Sequence, residues 1–559
     1  MSSCERNRLL AAAIVTAGLI FCYPLLLPTP LLEPDEGLHA TISQEMLEHH
    51  EWVLPTFQGE PFLDKPILYF WAQMVSLKAF GMNEFAVRLP GLLFGLLGAI
   101  TTGLLAARLF DSRTGWFACL MSMTMFIPLS LAQAAVHDVA LVPWTNLALL
   151  SLWELERATL RRRQFQWLSA AAFMFGLAFL TKALIGVAVI GVGYGLYLLL
   201  SRQLSVGSCV RVAGAVVLGA ILASPWFIVM EFRVTGYLYY YFVERHVMGF
   251  ATATQRHGSY PWWYYAPYFI LGALPWLWYI GPMLRDECRA RMQGTRFTPE
   301  MVFVVCWFVG GLLFLSTAKS KLVTYSLPLF PALAILSAVS WNRFTNRRMS
   351  ETSSSAFLWM LRGSGAFGII VPFGILLVCQ QIIGNQWPPL AWLTAALLSI
   401  FSGVIWQAIA RQRIHGSVEF ISLWVGGIVC LVMTWPLQMF AESHSERALA
   451  NWINDHRELP EHLFLIGEQP GSVIFYLTPQ LRQRLRSEQV TSIRIDELAQ
   501  TSHLGSGAIL AVTQQAMVQA KTKHLRIPGC YTETVGQFQI FENKADVSSV
   551  VQMAWNSAQ

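Results

Sequence analysis

The chain has 559 residues, 55% of them hydrophobic and 13% charged, with a mean hydropathy of +0.47. This composition excludes an ordinary soluble domain and defines a polytopic membrane protein. The formal net charge of +6 does not point to nucleic acid, because the basic residues fall in short clusters between apolar runs, where membrane loops keep them; no nucleic-acid partner is expected. The nine cysteines show no CxxC or zinc-like spacing and fall mostly inside apolar segments, so they read as small core residues rather than a disulfide framework.

In chain order, Arg6 and Arg8 precede an apolar run from Leu9 to Leu27. That run has roughly the 20 residues a span needs. It has no small-residue cleavage site, so it is expected to be a retained first helix and not a signal peptide. Further spans are expected near 86–107, 115–132, 139–156, 166–180, 183–200, 208–230, 262–282, 301–317, 322–341, 357–382, 388–410 and 418–440, thirteen with the first. Between the first two lie Thr41–Glu51 and Pro66–Phe80, too short or too polar to span, which fit helices lying at the membrane interface.

Alternate loops carry the arginines: Arg108 and Arg113; Arg157 and Arg161 to Arg163; Arg202 and Arg211; Arg285, Arg289, Arg291 and Arg296; Arg343, Arg347 and Arg348; Arg411 and Arg413. The positive-inside rule therefore places the N-terminus and these loops in the cytoplasm. The opposite side receives a mixed set: Asp35, Glu36, Asp64, Lys65, Asp138, Glu231, Glu244, His246, His257, Lys319 and Lys321. Polar residues crowd one outer face and the two halves show no internal symmetry. A transporter would instead keep its polar residues near the midplane, in broken helices and paired repeats.

At Ala441 the composition turns polar. Residues 441–559 alternate strand-like segments (462–466, 472–476, 507–512, 537–542) with helix-like ones (445–455, 513–522), which predicts a small α/β domain on the outer side. The expected organisation is a transmembrane domain over 1–440, its active-site loop at 29–85, and a periplasmic domain over 441–559. The latter holds a single cysteine, Cys530, and contains no Gly-rich phosphate loop or catalytic triad pattern.

Adjacent acids at the mouth of a hydrophobic helix are costly unless they meet water, cations or a charged substrate. This singles out Glu33-Pro34-Asp35-Glu36 and, a loop's length downstream, Leu63-Asp64-Lys65-Pro66. An enzyme that moves a sugar off a polyisoprenyl phosphate needs a carboxylate to take the acceptor's proton and cations to meet the departing phosphate. Asp35 is placed to act as the base. Glu36, Asp64 or Asp138 could orient a substrate amine or hydroxyl, or hold a divalent ion through oxygen ligands. Lys65, Lys319, Lys321 and Arg256 are the cations on the same side. Each has a structural alternative: a solvated loop or N-cap for Asp35-Glu36, a cap for Asp138, snorkelling for Lys65 and Lys182, and surface charge for the late lysines. Trp262-Trp263-Tyr264-Tyr265 fits an interfacial aromatic belt.

Several stretches carry a family resemblance: Pro34-Asp35-Glu36-Gly37, Trp52-Val53-Leu54-Pro55, Asp64-Lys65-Pro66-Ile67-Leu68-Tyr69-Phe70-Trp71, Arg88-Leu89-Pro90-Gly91, Leu180-Thr181-Lys182, Val243-Glu244-Arg245-His246 and Ala318-Lys319-Ser320-Lys321-Leu322-Val323-Thr324-Tyr325. Over roughly residues 9–341 the chain resembles the lipid-linked sugar transferases of the GT-C superfamily, in particular the aminoarabinose transferases that modify lipid A. The resemblance implies a GT-C-type helical membrane protein with about thirteen spans, juxtamembrane helices and a C-terminal periplasmic α/β domain. It implies transfer of a sugar, 4-amino-4-deoxy-L-arabinose or another, from a polyprenyl-phosphate-sugar donor to lipid A or another glycan or protein acceptor, at the outer face of a bacterial inner membrane. The family's catalytic carboxylate falls on Asp35 and a second acid on Asp138. Phosphate and substrate contacts fall on Glu36, Lys65, Lys319, Lys321 and Tyr325, and a divalent metal would sit at Asp64 and His246. Two departures are visible. Where the aminoarabinose transferases usually read Asp-Glu-x-Arg-Tyr-Ala, this chain has Asp35-Glu36-Gly37-Leu38-His39-Ala40, losing a basic side chain near the phosphate; and Asp64 stands where a glutamate is commoner.

Overall fold

The computed structural model describes the chain except for residues 252–259, 385, 412–415, 457–458, 487–488, 496–507, 526 and 543–559. Arg256, His257 and Arg413, named above among the loop charges, lie outside the described residues.

Hydrocarbon offers no hydrogen-bond partner to a backbone amide, so apolar runs of this length fold as helices that satisfy their own N–H and C=O groups. Among the described residues nine helices are long and apolar enough to cross a membrane: Ser3–Leu26, Glu84–Leu109, Arg161–Lys182, Val206–Arg233, Pro299–Thr317, Val323–Thr345, Glu351–Ile383, Pro389–Ala410 and Ser417–His444. A tenth is the pair Ser112–Met123 and Phe126–Gln133, bent by 58°. The remaining three predicted stretches are helical but differ in form. Asp138–Arg157 carries Asp138, Asn146 and the charges at its C-terminal end, Leu184–Leu200 is 17 residues long, and 262–282 is broken into Tyr265–Gly272 and a helix starting at Ile280, with a short 3-10 turn between.

Some polar side chains of this bundle bond from helix to helix. Arg8 Nε meets Glu419 at 2.7 Å and Tyr23 Oη lies 2.6 Å from Thr434 Oγ1, tying the first helix to the Ser417–Thr434 helix. Asn146, fully buried, donates to Gly98 O at 3.2 Å and to Thr102 Oγ1 at 3.0 Å, which holds the Asp138–Arg157 helix against Glu84–Leu109.

Two compact units emerge. The first comprises 1–27, 63–72 and 88–436; the second comprises 28–62, 73–87 and 437–559. Residues 28–62 and 73–87 are thus part of the same unit as the C-terminal segment, which a cut at 440 does not anticipate. The second unit contains a hairpin, β1 (Thr56–Phe57) and β2 (Glu60–Pro61), and a five-stranded sheet of β3 (His462–Ile466), β4 (Val490–Ile493), β5 (Ala508–Thr513), β6 (Cys530–Val535) and β7 (Phe538–Glu542) in the order β4-β3-β5-β7-β6. The three strands β4, β3 and β5 run parallel, and β7 and β6 close the sheet antiparallel.

Strand alternation decides which residues face which layer. Leu463 and Leu465 of β3 and Ala511 of β5 pack on one face with Leu449, Ile453, Val473 and Ile474, while Ile466, Leu510 and Val512 pack on the other with Ala516. The expected strand at 472–476 is instead a helix, Gly471–Tyr476. A short apolar run cannot announce its own period, and here Pro470 leads into a helical turn whose residues Val473 and Ile474 cover the sheet. The parallel strand β4 and the edge strand β6 lie in polar sequence without an apolar alternation to announce them.

Candidate active site

Asp35 does not lie in a loop. The helix expected to begin near Thr41 starts at Asp35 and runs to Glu48, so Asp35 and Glu36 occupy its first turn, where negative charge faces the positive end of the helix dipole. Their environments differ. Asp35 is exposed, whereas Glu36 is buried and accepts a hydrogen bond from Leu32 N at 3.0 Å.

Within the same unit this helix lies against Gly471–Tyr476. A Cβ added at Gly37 would fall on the Glu33 carboxyl and 2.5 Å from Ser472 N, and one added at Gly471 would stand 2.6 Å from Gly37 C. Only glycine at both positions lets the backbones approach so closely. Thr41 Oγ1 donates to Gly471 O at 2.6 Å, and Arg482 Nε reaches both Glu48 oxygens at 3.1 Å, fixing the far end of the helix.

The other site candidates belong to the membrane-spanning unit, where they form two clusters. In the first, Asp138 opens its helix and makes a buried ion pair with Lys182, and the Lys182 ammonium lies 4.2 Å from the ring centroid of Tyr325. Asp138 and Lys182 are only 3% and 5% exposed, so the pair is largely withdrawn from water. In the second, Asp64 accepts from Tyr240 Oη at 2.8 Å and pairs with Arg245 at 3.2 Å. His246 sits next to it in sequence; its Nδ1 is 2.6 Å from Tyr241 O, and burial lowers its pKa in favour of the neutral ring.

Lys65, beside Asp64, is half-buried, and Lys319 is exposed, its amide bonded to Phe250 O at 3.1 Å. Lys321 is turned inward. It is 2% exposed and donates to the carbonyl oxygens of Ala318 and Tyr260, and burial lowers its pKa. In this arrangement Lys321 ties down its loop rather than presenting a charge.

The metal expected at Asp64 and His246 meets a donor set that does not fit it here. Among the described residues no three His, Cys, Asp or Glu side chains converge on one point, and the Asp64 carboxylate is already engaged by a guanidinium.

Of the partners these acids meet, Tyr240 is not singled out by the sequence, Lys182 stands there as functional or snorkelling, and Arg245 only as part of the Val243–His246 stretch. A lysine inside an apolar run is itself a signal, and Arg245 immediately precedes His246, but nothing in the sequence names the acids they meet.

The chain shares its fold with a known structure. It aligns with ArnT from Cupriavidus metallidurans bound to undecaprenyl phosphate at a TM-score of 0.73, covering 98% of this chain and 99% of that one at 21% identity. The family model for dolichyl-phosphate-mannose-protein mannosyltransferase matches residues 64–229. In sequence the chain is similar to the undecaprenyl phosphate-alpha-4-amino-4-deoxy-L-arabinose arabinosyl transferases of Aeromonas salmonicida, 34% identical over 348 residues and 61% of each chain, and of Photorhabdus laumondii, 29% identical over 476 residues and 83% of each chain. The match thus spans less than two thirds of the Aeromonas relative's length.

Proposed function

We propose that this protein is a glycosyltransferase that moves 4-amino-4-deoxy-L-arabinose, or a closely related sugar, from a polyprenyl phosphate to lipid A. The reaction would take place at the outer, periplasmic face of a bacterial inner membrane. The observation that carries this reading is the similarity to the arabinosyl transferases, 34% identity over 348 residues in one case. The exposed Asp35 supplies the chemistry. Its carboxylate takes the proton from the acceptor hydroxyl, the acceptor oxygen forms a bond to the anomeric carbon, and the bond from that carbon to the phosphate oxygen breaks. Polyprenyl phosphate leaves, its developing charge met by Lys65 and Lys319 and, once freed from its carbonyl partners, by Lys321. Asp138, held by Lys182, orients the sugar, with Glu36 and Tyr325 as further substrate contacts.

A second reading is favoured by the protein mannosyltransferase model that matches 64–229: the same chemistry with a protein acceptor. Purified protein given a polyprenyl-phospho-sugar and either lipid A or peptide separates the two, and lipid A is expected to be the acceptor used. Asp35→Asn is expected to lower turnover by about 10²- to 10⁴-fold, the range for loss of a positioned base. Turnover near that of the unaltered protein would remove Asp35 from this role.

A further inference from the structure

Two residues before Asp35 stands a side chain that the chemistry above does not use. Glu33 Oε1 accepts from Ser472 N at 2.5 Å, and Ser472 Oγ in turn donates to Glu446 Oε2 at 3.0 Å, which also accepts from Val473 N at 3.1 Å. Glu446 is fully buried. Glu33 is partly exposed as a residue, but its Oε2, like Glu446 Oε1, is buried without a hydrogen-bond partner among the described residues. The Glu33 carboxyl also fills the space above Gly37, inside the turn that presents Asp35.

We propose that Glu33 is a positioning residue for Asp35: its carboxyl, seated over Gly37 and hydrogen-bonded to Ser472, fixes the first turn of the Asp35–Glu48 helix against the C-terminal segment. This rests on the reading of Asp35 as the base. Two buried carboxyls joined through one serine, with Glu468 and Glu36 adding like charge, are not both ionised. Burial, the largest cause, raises Glu33 to about 8 and Glu446 well above its ordinary range, and it raises Glu468 as well. The seated form of Glu33 is therefore neutral. The sign follows: below the ordinary carboxyl value of 4.5 the folded and unfolded chains both bind the proton, and between 4.5 and about 8 only the folded chain keeps it. The contact accordingly weakens as pH rises through this window.

The test compares Glu33→Gln and Glu33→Ala in the full-length protein. Glutamine keeps the acceptor oxygen and the neutral charge. Alanine is expected to lower kcat about 10- to 100-fold with the donor KM little changed, as for a displaced catalytic group, while glutamine retains kcat and removes the loss of kcat on the alkaline side of the pH profile. Hydrogen–deuterium exchange over residues 33–41 gives a readout that needs no turnover. It should rise in Glu33→Ala, and in the unaltered protein at alkaline pH, but not in Glu33→Gln. Equal kcat and equal exchange in the alanine variant, or a glutamine variant as impaired as alanine, would overturn the proposal. If Asp35→Asn stays active while the exchange pattern appears as expected, it is the base assignment that fails and not the seating of Glu33.

Discussion

Asp138 and Lys182 form a buried ion pair in the membrane-spanning unit. Both are buried, and the ammonium also faces the Tyr325 ring. Removing one partner takes the opposite charge away from a buried ion, which costs on the order of 3–5 kcal/mol, whereas removing both avoids that penalty. Asp138→Asn and Lys182→Met are each expected to lower thermal stability in detergent by about this much, with the double variant more stable than either single one. Additive losses in the double variant would mean that the two groups act independently. The acid was legible in the sequence as a charge at the start of a helix. The lysine was visible only as a charge in an apolar run, because the residue that neutralises it lies 44 positions away and no periodicity encodes the pairing.

At the level of elements, the Asp35–Glu48 helix and Gly471–Tyr476 are held by a backbone approach that two glycines permit. Apolar length marked the spans, and β-rich alternation marked β3, β5 and β7. The helix at 471–476 was misread as a strand because its apolar residues cover the sheet over fewer than two helical turns. Gly37 stood out only as part of the Pro34-Asp35-Glu36-Gly37 stretch and Gly471 carried no pattern, since a glycine demanded by a distant neighbour looks like any other. Gly471→Ala tests this packing. Its Cβ would stand 2.9 Å from Leu38 Cα and close to the Leu38 amide, and these are backbone atoms that do not rotate away. A loss of about 1–3 kcal/mol is expected from such overpacking, with a parallel fall in kcat if the helix shifts Asp35. An alanine variant with unaltered unfolding temperature and turnover would show that the backbones separate without cost.

Over the whole molecule, composition and loop charge conveyed the membrane character, the stretches that become helices and the existence of a C-terminal α/β region. They did not convey that residues 28–62 and 73–87 complete that region, because chain order suggested a boundary at 440 while compactness follows contacts. Leu31 N donates to Tyr476 Oη at 2.9 Å, Thr41 Oγ1 to Gly471 O at 2.6 Å, Ser472 N to Glu33 at 2.5 Å, and Phe57 packs on the core beneath the sheet. Each such hydrogen bond is worth roughly 1 kcal/mol net, and buried polar groups left behind when a partner is deleted cost more than that. A fragment of residues 441–559 is therefore expected to unfold at least about 2 kcal/mol more easily than the same residues do in the full chain. Hydrogen exchange across 471–476 measures this directly: protection there should collapse in the fragment while β3 and β5, paired within the fragment, retain more of theirs. Equal protection of 471–476 in fragment and full chain would mean that the C-terminal segment stands alone and that the first loop only rests upon it.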